Sequence, residues 1–138
     1  MLDFTSDTFD DSLSSQATEQ TPVDDQALLD AYSNAVIGVT EAVGPAVVRV
    51  ETGPKVRTPG ERGGIGSGIV ISPDGLVLTN SHVVGSAKEI RLRDIEGAVT
   101  DARVLGVDPD TDLALLRANG VRDLSYASLG NSKTLRRG

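Results

Sequence analysis

The spacing of hydrophobic residues changes from a helical to a strand period at Gly44-Pro45. Before this pair, apolar residues recur at steps of three and four, which places them on one face of a helix. These residues are Leu28, Leu29, Tyr32, Val36, Val39 and Val43. Acidic residues suit the start of a helix, and Gly followed by Pro ends one. The pattern predicts a helix over residues 26–43, within an N-terminal helical segment at 25–44.

After Pro45 the pattern is that of short β-strands rich in Val, Ile and Leu. Ser72-Pro73-Asp74-Gly75 separates two of them and has the composition of a tight turn. The predicted strands are 46–52, 67–71, 76–78, 89–93, 98–107 and 113–116. Six short strands joined by tight turns are typical of an antiparallel barrel. The predicted fold class is therefore all-β, a six-stranded antiparallel barrel over residues 45–138 that follows the N-terminal helix.

The net charge of −7 comes from the N-terminal part of the chain. The first 48 residues hold nine acidic and no basic residues, whereas the remainder holds 13 basic and 11 acidic residues. Residues 1–24 show no apolar period, and we expect a disordered acidic leader there. The nearly neutral remainder has no basic stripe, which argues against nucleic-acid binding. The sequence has no apolar run that could span a bilayer, and its start lacks a signal-peptide pattern.

Candidate chemistry centres on His82, the only histidine, and on Asp112, which follows it by 30 residues. An imidazole at the end of one apolar strand and a carboxylate at the start of another supply two members of a Ser-His-Asp triad. The small residues Thr79, Asn80 and Ser81 leave room for the carboxylate to approach. From spacing alone, the alternative is that His82 is a surface or structural residue and Asp112 part of a solvated turn.

Metal and cofactor sites are poorly supported by the sequence. Asp108, Asp110 and Asp112 alternate as calcium ligands do, but the Gly and the terminal Glu of an EF-hand loop are missing. One histidine and no cysteine do not make a zinc site. The sequence therefore predicts neither a metal nor a cofactor.

Four motifs, taken in order, carry a resemblance to a known family. They are Gly66–Ile71, Asp74–Val84, Asp108–Leu116 and Leu129–Ser132. Over roughly residues 43–138, the chain resembles the HtrA/Deg family of trypsin-like serine proteases. The resemblance implies that His82 is the general base, that Asp112 orients it, and that the barrel is the first of two. It also implies protein quality control, with unfolded or misfolded proteins as substrates, in the cell envelope or periplasm. Family members build trimer contacts where the predicted helix lies, so a homotrimer of the full-length protein is one assembly that the resemblance allows.

The sequence departs from the family pattern in one respect that decides its activity. The nucleophile motif Gly-Asn-Ser-Gly-Gly does not occur in it, and Ser67, Ser81 and Ser132 stand in other motifs. PDZ domains, which usually follow in this family, do not occur in it either. We therefore expect an N-terminal half of a serine endopeptidase that is inactive alone. The alternatives are a non-enzymatic small barrel that binds peptides and an interaction protein that acts through its acidic leader.

Overall fold

The computed structural model describes residues 22–54, 59–60 and 62–137. Residues 1–21 of the predicted leader lie outside this part. The chain divides into two compact units, residues 1–34 and 35–138. Helix α1 runs over Pro22–Val43 and crosses this division. None of the helices in the described part is long and apolar enough to cross a membrane.

Helix α1 begins four residues before the predicted start. Proline is tolerated in the first turn of a helix because the N–H groups there have no intrahelical acceptor. Asp24 and Asp25 in the same turn favour the positive end of the helix dipole. Most of the predicted apolar stripe is exposed, namely Leu28, Leu29, Tyr32, Val36 and Val39.

The second unit contains a closed barrel of antiparallel strands, as the sequence predicts. The six strands found in the described residues are β1 Val47–Thr52, β2 Ile65–Val70, β3 Leu76–Thr79, β4 Ile90–Arg93, β5 Val99–Asp108 and β6 Leu113–Ala118. Around the barrel the order is β1-β2-β3-β6-β5-β4. Strands β3 and β6 are far apart in sequence and adjacent in space, which brings the end of β3 beside the start of β6. The short helix α2, Ser81–Val84, follows β3 directly.

The barrel interior is filled mainly by residues of the other five strands, whereas β5 contributes no fully buried residue. Successive side chains of a strand point to opposite faces, so the buried positions in a strand are two residues apart. Val50 in β1, Val77 in β3 and Leu116 in β6 are fully buried. Two buried threonines mark the end of the barrel near α2, and both are hydrogen-bonded. Thr79 Oγ1 donates to the Ser67 carbonyl at 2.7 Å, and Thr52 Oγ1 accepts from the Gly64 N–H at 2.8 Å.

Glycines in β2 allow neighbouring elements to approach its backbone closely. A Cβ on Gly68 would lie 2.8 Å from Val77 Cγ1 and 3.0 Å from Val50 Cγ2. A Cβ on Gly66 would lie 2.5 Å from Val83 Cγ2, in helix α2. The glycine positions of the Gly66-Ser67-Gly68 motif therefore serve core packing and the seating of α2 on the barrel.

Gly68→Ala should destabilise the barrel by about 1–3 kcal/mol, because an added methyl overpacks a core that cannot easily give way. Gly106→Ala in β5 is the matched control, since a Cβ there would meet nothing within 4 Å. Both changes replace a glycine in a strand by alanine, so the difference between their free energies of unfolding isolates the effect of steric crowding at Gly68. The measurement is the free energy of unfolding in urea, and equal values for the two variants would contradict this account.

Candidate active site

His82 is held at the surface by the residues on either side of it. Strand β3 ends at the buried Thr79, and α2 starts two residues later. Val84 is buried in the core, and Val83 packs against Gly66. These two contacts fix the helix and leave the His82 side chain 70% exposed.

Asp112 lies in the turn that joins β5 to β6. Its backbone has φ 56°, in the left-handed region that aspartate tolerates better than most residues. Asp108 builds the turn by accepting from the Asp110 N–H at 3.2 Å and the Thr111 hydroxyl at 2.9 Å. The Asp112 N–H closes it onto the Pro109 carbonyl at 3.2 Å. Of the three alternating aspartates, Asp108 shapes the turn and Asp112 is the one that reaches α2.

The structure brings His82 and Asp112 together through several hydrogen bonds. His82 Nδ1 lies 2.7 Å from Asp112 Oδ2, and the His82 backbone N–H donates to Oδ1 at 3.0 Å. The Ser81 hydroxyl donates to the same Oδ1 at 2.9 Å. The Asp112 carbonyl accepts from the Ser81 N–H at 3.2 Å and from Asn80 Nδ2 at 3.1 Å. Three consecutive residues thus hold both the backbone and the carboxylate of Asp112.

The register of β3 against β6 accounts for this meeting. Thr79 pairs with Ala114, and the strands are antiparallel. Because the strands run in opposite directions, each residue further along the chain after Thr79 faces one residue earlier in the chain before Ala114. Two such steps bring Ser81 opposite Asp112, where their backbones form a hydrogen bond.

The same hydrogen bonds favour the ionised form of the carboxylate. The His82 backbone N–H, followed by the His82 ring, holds the pKa of Asp112 below its ordinary value of 3.8, and desolvation opposes them. An ionised carboxylate only accepts hydrogen bonds, so the proton of the Nδ1···Oδ2 contact belongs to the imidazole. In the neutral ring this leaves the lone pair on Nε2, which is the form required of a general base.

Sequence reasoning selected His82 and Asp112 and missed the two residues before the histidine. Asn80 and Ser81 were expected only to leave room for the carboxylate, whereas both donate to Asp112. The sequence did contain a signal for these contacts. An amide side chain and a hydroxyl, both able to donate hydrogen bonds, stand immediately before the only histidine. Ser67 lies in β2, and Ser132 starts a short 3-10 helix.

Asp112→Asn should lower the stability of the folded chain at neutral pH and have a diminishing effect in acid. A carboxylate whose pKa is depressed by folding stabilises the native state fully above its unfolded pKa. That contribution is lost as the pH falls below about 3.8 and through the lower folded value. The measurement is the difference in free energy of unfolding between the unmutated chain and the variant across pH 2–7.

Asp110→Asn is the control for this measurement, since the backbone N–H of Asp110 and not its carboxylate takes part in the turn. If the loss of unfolding free energy caused by Asp112→Asn stayed constant down to pH 2, the expected link between stability and the ionisation of Asp112 would be contradicted.

Comparison with known proteins shows what this chain is similar to. Residues 66–138 match the trypsin-like peptidase domain. The "Probable periplasmic serine endoprotease DegP-like" of Pseudomonas savastanoi pv. phaseolicola is 47% identical over 74 residues, which cover 54% of this chain and 15% of that protein. "Serine protease HTRA1" of Xenopus laevis is 34% identical over 110 residues, covering 76% of this chain and 23% of the relative.

Solved structures give the same result. The "HtrA-type protease AlgW with tripeptide" superimposes with a TM-score of 0.64 at 31% identity, over 72% of this chain and 31% of that one. The chain thus spans less than a third of the length of each of these three relatives. It belongs to the HtrA family of trypsin-like serine proteases and forms part of their protease domain.

Proposed function

We propose that this chain supplies the base half of the active site of an HtrA-like serine endopeptidase. His82 is the general base and Asp112 orients it. The observation that carries the proposal is the 2.7 Å contact between His82 Nδ1 and Asp112 Oδ2, with the ring itself exposed at the edge of the barrel. A base must be accessible to a reacting hydroxyl while its second nitrogen is fixed, and this arrangement meets both conditions.

The reaction needs a serine hydroxyl that this sequence does not supply in the family's nucleophile motif. In the complete enzyme, His82 Nε2 takes the proton from that hydroxyl as its oxygen attacks the scissile carbonyl. The imidazolium then gives the proton to the departing amine. Asp112 holds the ring in the required tautomer and stabilises its transient positive charge, because it remains a carboxylate throughout.

The biological setting is part of the proposal and rests on the resemblance to the HtrA/Deg family. The relative from Pseudomonas savastanoi pv. phaseolicola is named as a periplasmic serine endoprotease. We infer unfolded or misfolded proteins as substrates, an envelope location, and assembly of the full-length protein as a homotrimer. The residues before α1 would be the leader, α1 at Pro22–Val43 the helical segment, and 45–138 the first barrel of the protease domain.

The 138-residue chain should show no turnover of casein or of a fluorogenic peptide, because the nucleophile and the oxyanion hole that stabilises the tetrahedral intermediate come from elsewhere. A fluorophosphonate probe should likewise label none of Ser67, Ser81 and Ser132. Hydrolysis by the chain that His82→Ala abolishes would overturn this expectation and the proposed division of the active site.

A chimera can test the two assigned roles directly. The barrel of this chain would replace the matching segment of the DegP-like serine endoprotease of Pseudomonas savastanoi pv. phaseolicola, and we expect the remainder of that protein to supply the serine. The chimera should degrade casein, and His82→Ala should abolish this activity. Asp112→Asn should lower kcat by about 10⁴-fold, since an amide favours the wrong tautomer of the imidazole.

Asp110→Asn, in the same turn, is the matched control and should stay within a few-fold of the unmutated chimera. An Asp112→Asn variant as active as Asp110→Asn would refute the role of Asp112. A folded chimera without activity would instead favour the non-enzymatic peptide-binding barrel.

A further inference from the structure

We propose that Ser81 is a positioning residue, whose hydroxyl fixes the rotation of the Asp112 carboxylate so that Oδ2 faces the imidazole. The inference rests on the proposed function, because it assigns Ser81 a role through Asp112 and His82. It adds a residue that does not touch substrate or the reacting atoms.

The two oxygens of Asp112 have different partners. Oδ2 meets the His82 ring at 2.7 Å, whereas Oδ1 accepts from the Ser81 hydroxyl at 2.9 Å and the His82 N–H at 3.0 Å. Rotation about the Cβ–Cγ bond of an aspartate is soft, so the side chain alone does not set the plane of its carboxylate. Two donors on one oxygen and one on the other define that plane.

Solvent exposure makes these donors necessary. The Asp112 side chain is 44% exposed, so water competes for both of its oxygens. A donor on the protein competes well only if its own position is fixed. Ser81 meets this condition, because it is half-buried and its backbone N–H is bonded to the Asp112 carbonyl.

The Ser81 hydroxyl is not needed to form the helix that it begins. Asn80 is the N-cap of α2, and no side chain provides a capping hydrogen bond there. Alanine is a better helix former than serine at a helical position. The hydroxyl is therefore directed to Asp112 and does not stabilise α2, so removing it should change the carboxylate more than the fold.

The pKa of the Asp112 carboxyl group is a readout that would not change if Ser81 had a merely structural role. The Ser81 hydroxyl is one of the hydrogen bonds that lower the pKa of Asp112, after the backbone and the ring of His82. Removing this donor should raise the pH at which the carboxyl group titrates, because a hydrogen bond to the ionised form favours that form.

The experiment is a carbon-13 NMR titration of the Asp112 carboxyl group in the 138-residue chain. The midpoint should move to higher pH in Ser81→Ala and Ser81→Val and stay near the unmutated value in Ser81→Thr. Threonine and valine differ by the hydroxyl with little change in shape, so this pair isolates the hydrogen bond even if Ser81→Ala disturbs folding. Ser86→Ala, at an exposed serine two residues past α2, is the matched control and should leave the midpoint unchanged.

Equal midpoints for Ser81→Thr and Ser81→Val would overturn the proposal. In the chimera, Ser81→Ala should lower kcat by about tenfold, by analogy with residues that orient the metal ligands of metalloenzymes, and Ser81→Thr should restore it. An active chimera whose kcat and pH profile are unchanged by Ser81→Ala would also refute the role. A chimera that is inactive while the titrations behave as expected would refute the proposed function and leave the hydrogen bond from Ser81 to Asp112 established.

Discussion

The antiparallel register between β3 and β6 is the constraint on which the candidate site depends. Thr79 pairs with Ala114, and the same count carried past the strand ends sets Ser81 against Asp112. The hydrogen bonds between Asp112 and residues 80–82 therefore continue the pairing of β3 and β6 into the candidate site. Both partners are anchored by strand backbone, which positions side chains more rigidly than a free loop does.

The same register is fixed by the hydrophobic core, and this couples stability to site geometry. Val77 and Leu116 are paired across β3 and β6, and both are fully buried. A slip of one residue would turn these side chains toward solvent, because strand side chains alternate between faces. It would also move Asp112 away from Ser81. The free energy of burying the core thus maintains the alignment of the histidine with its carboxylate.

Local pattern was enough to predict the barrel, since alternation and turn residues are properties of short segments. It also made His82 and Asp112 candidates, one by its uniqueness and the other by its place before an apolar strand, but only the resemblance to the HtrA/Deg family assigned them roles. The adjacency of β3 and β6 is a long-range property, and the composition of each strand does not encode it. For that reason the hydrogen bond from Ser81 to Asp112 was not predicted. The sequence placed Ser81 outside the nucleophile motif and otherwise indicated only a small residue that leaves room for the carboxylate. The start of α1 at Pro22 was missed because the apolar period begins later than the helix.

The His82–Asp112 pair is well aligned although its interaction contributes little to the stability of the fold, because both side chains are exposed to solvent. With His82 70% and Asp112 44% exposed, water competes for both groups, and an exposed polar pair of this kind contributes little to stability whether or not the ring is charged. The alignment must therefore come from the backbone and from neutral donors such as Ser81. In the proposed protease, the surface that brings the serine would also exclude water, and the same contacts would then act in a medium of lower dielectric constant. Because the groups are already aligned, their catalytic effect would increase with water exclusion alone, without a rearrangement of the barrel.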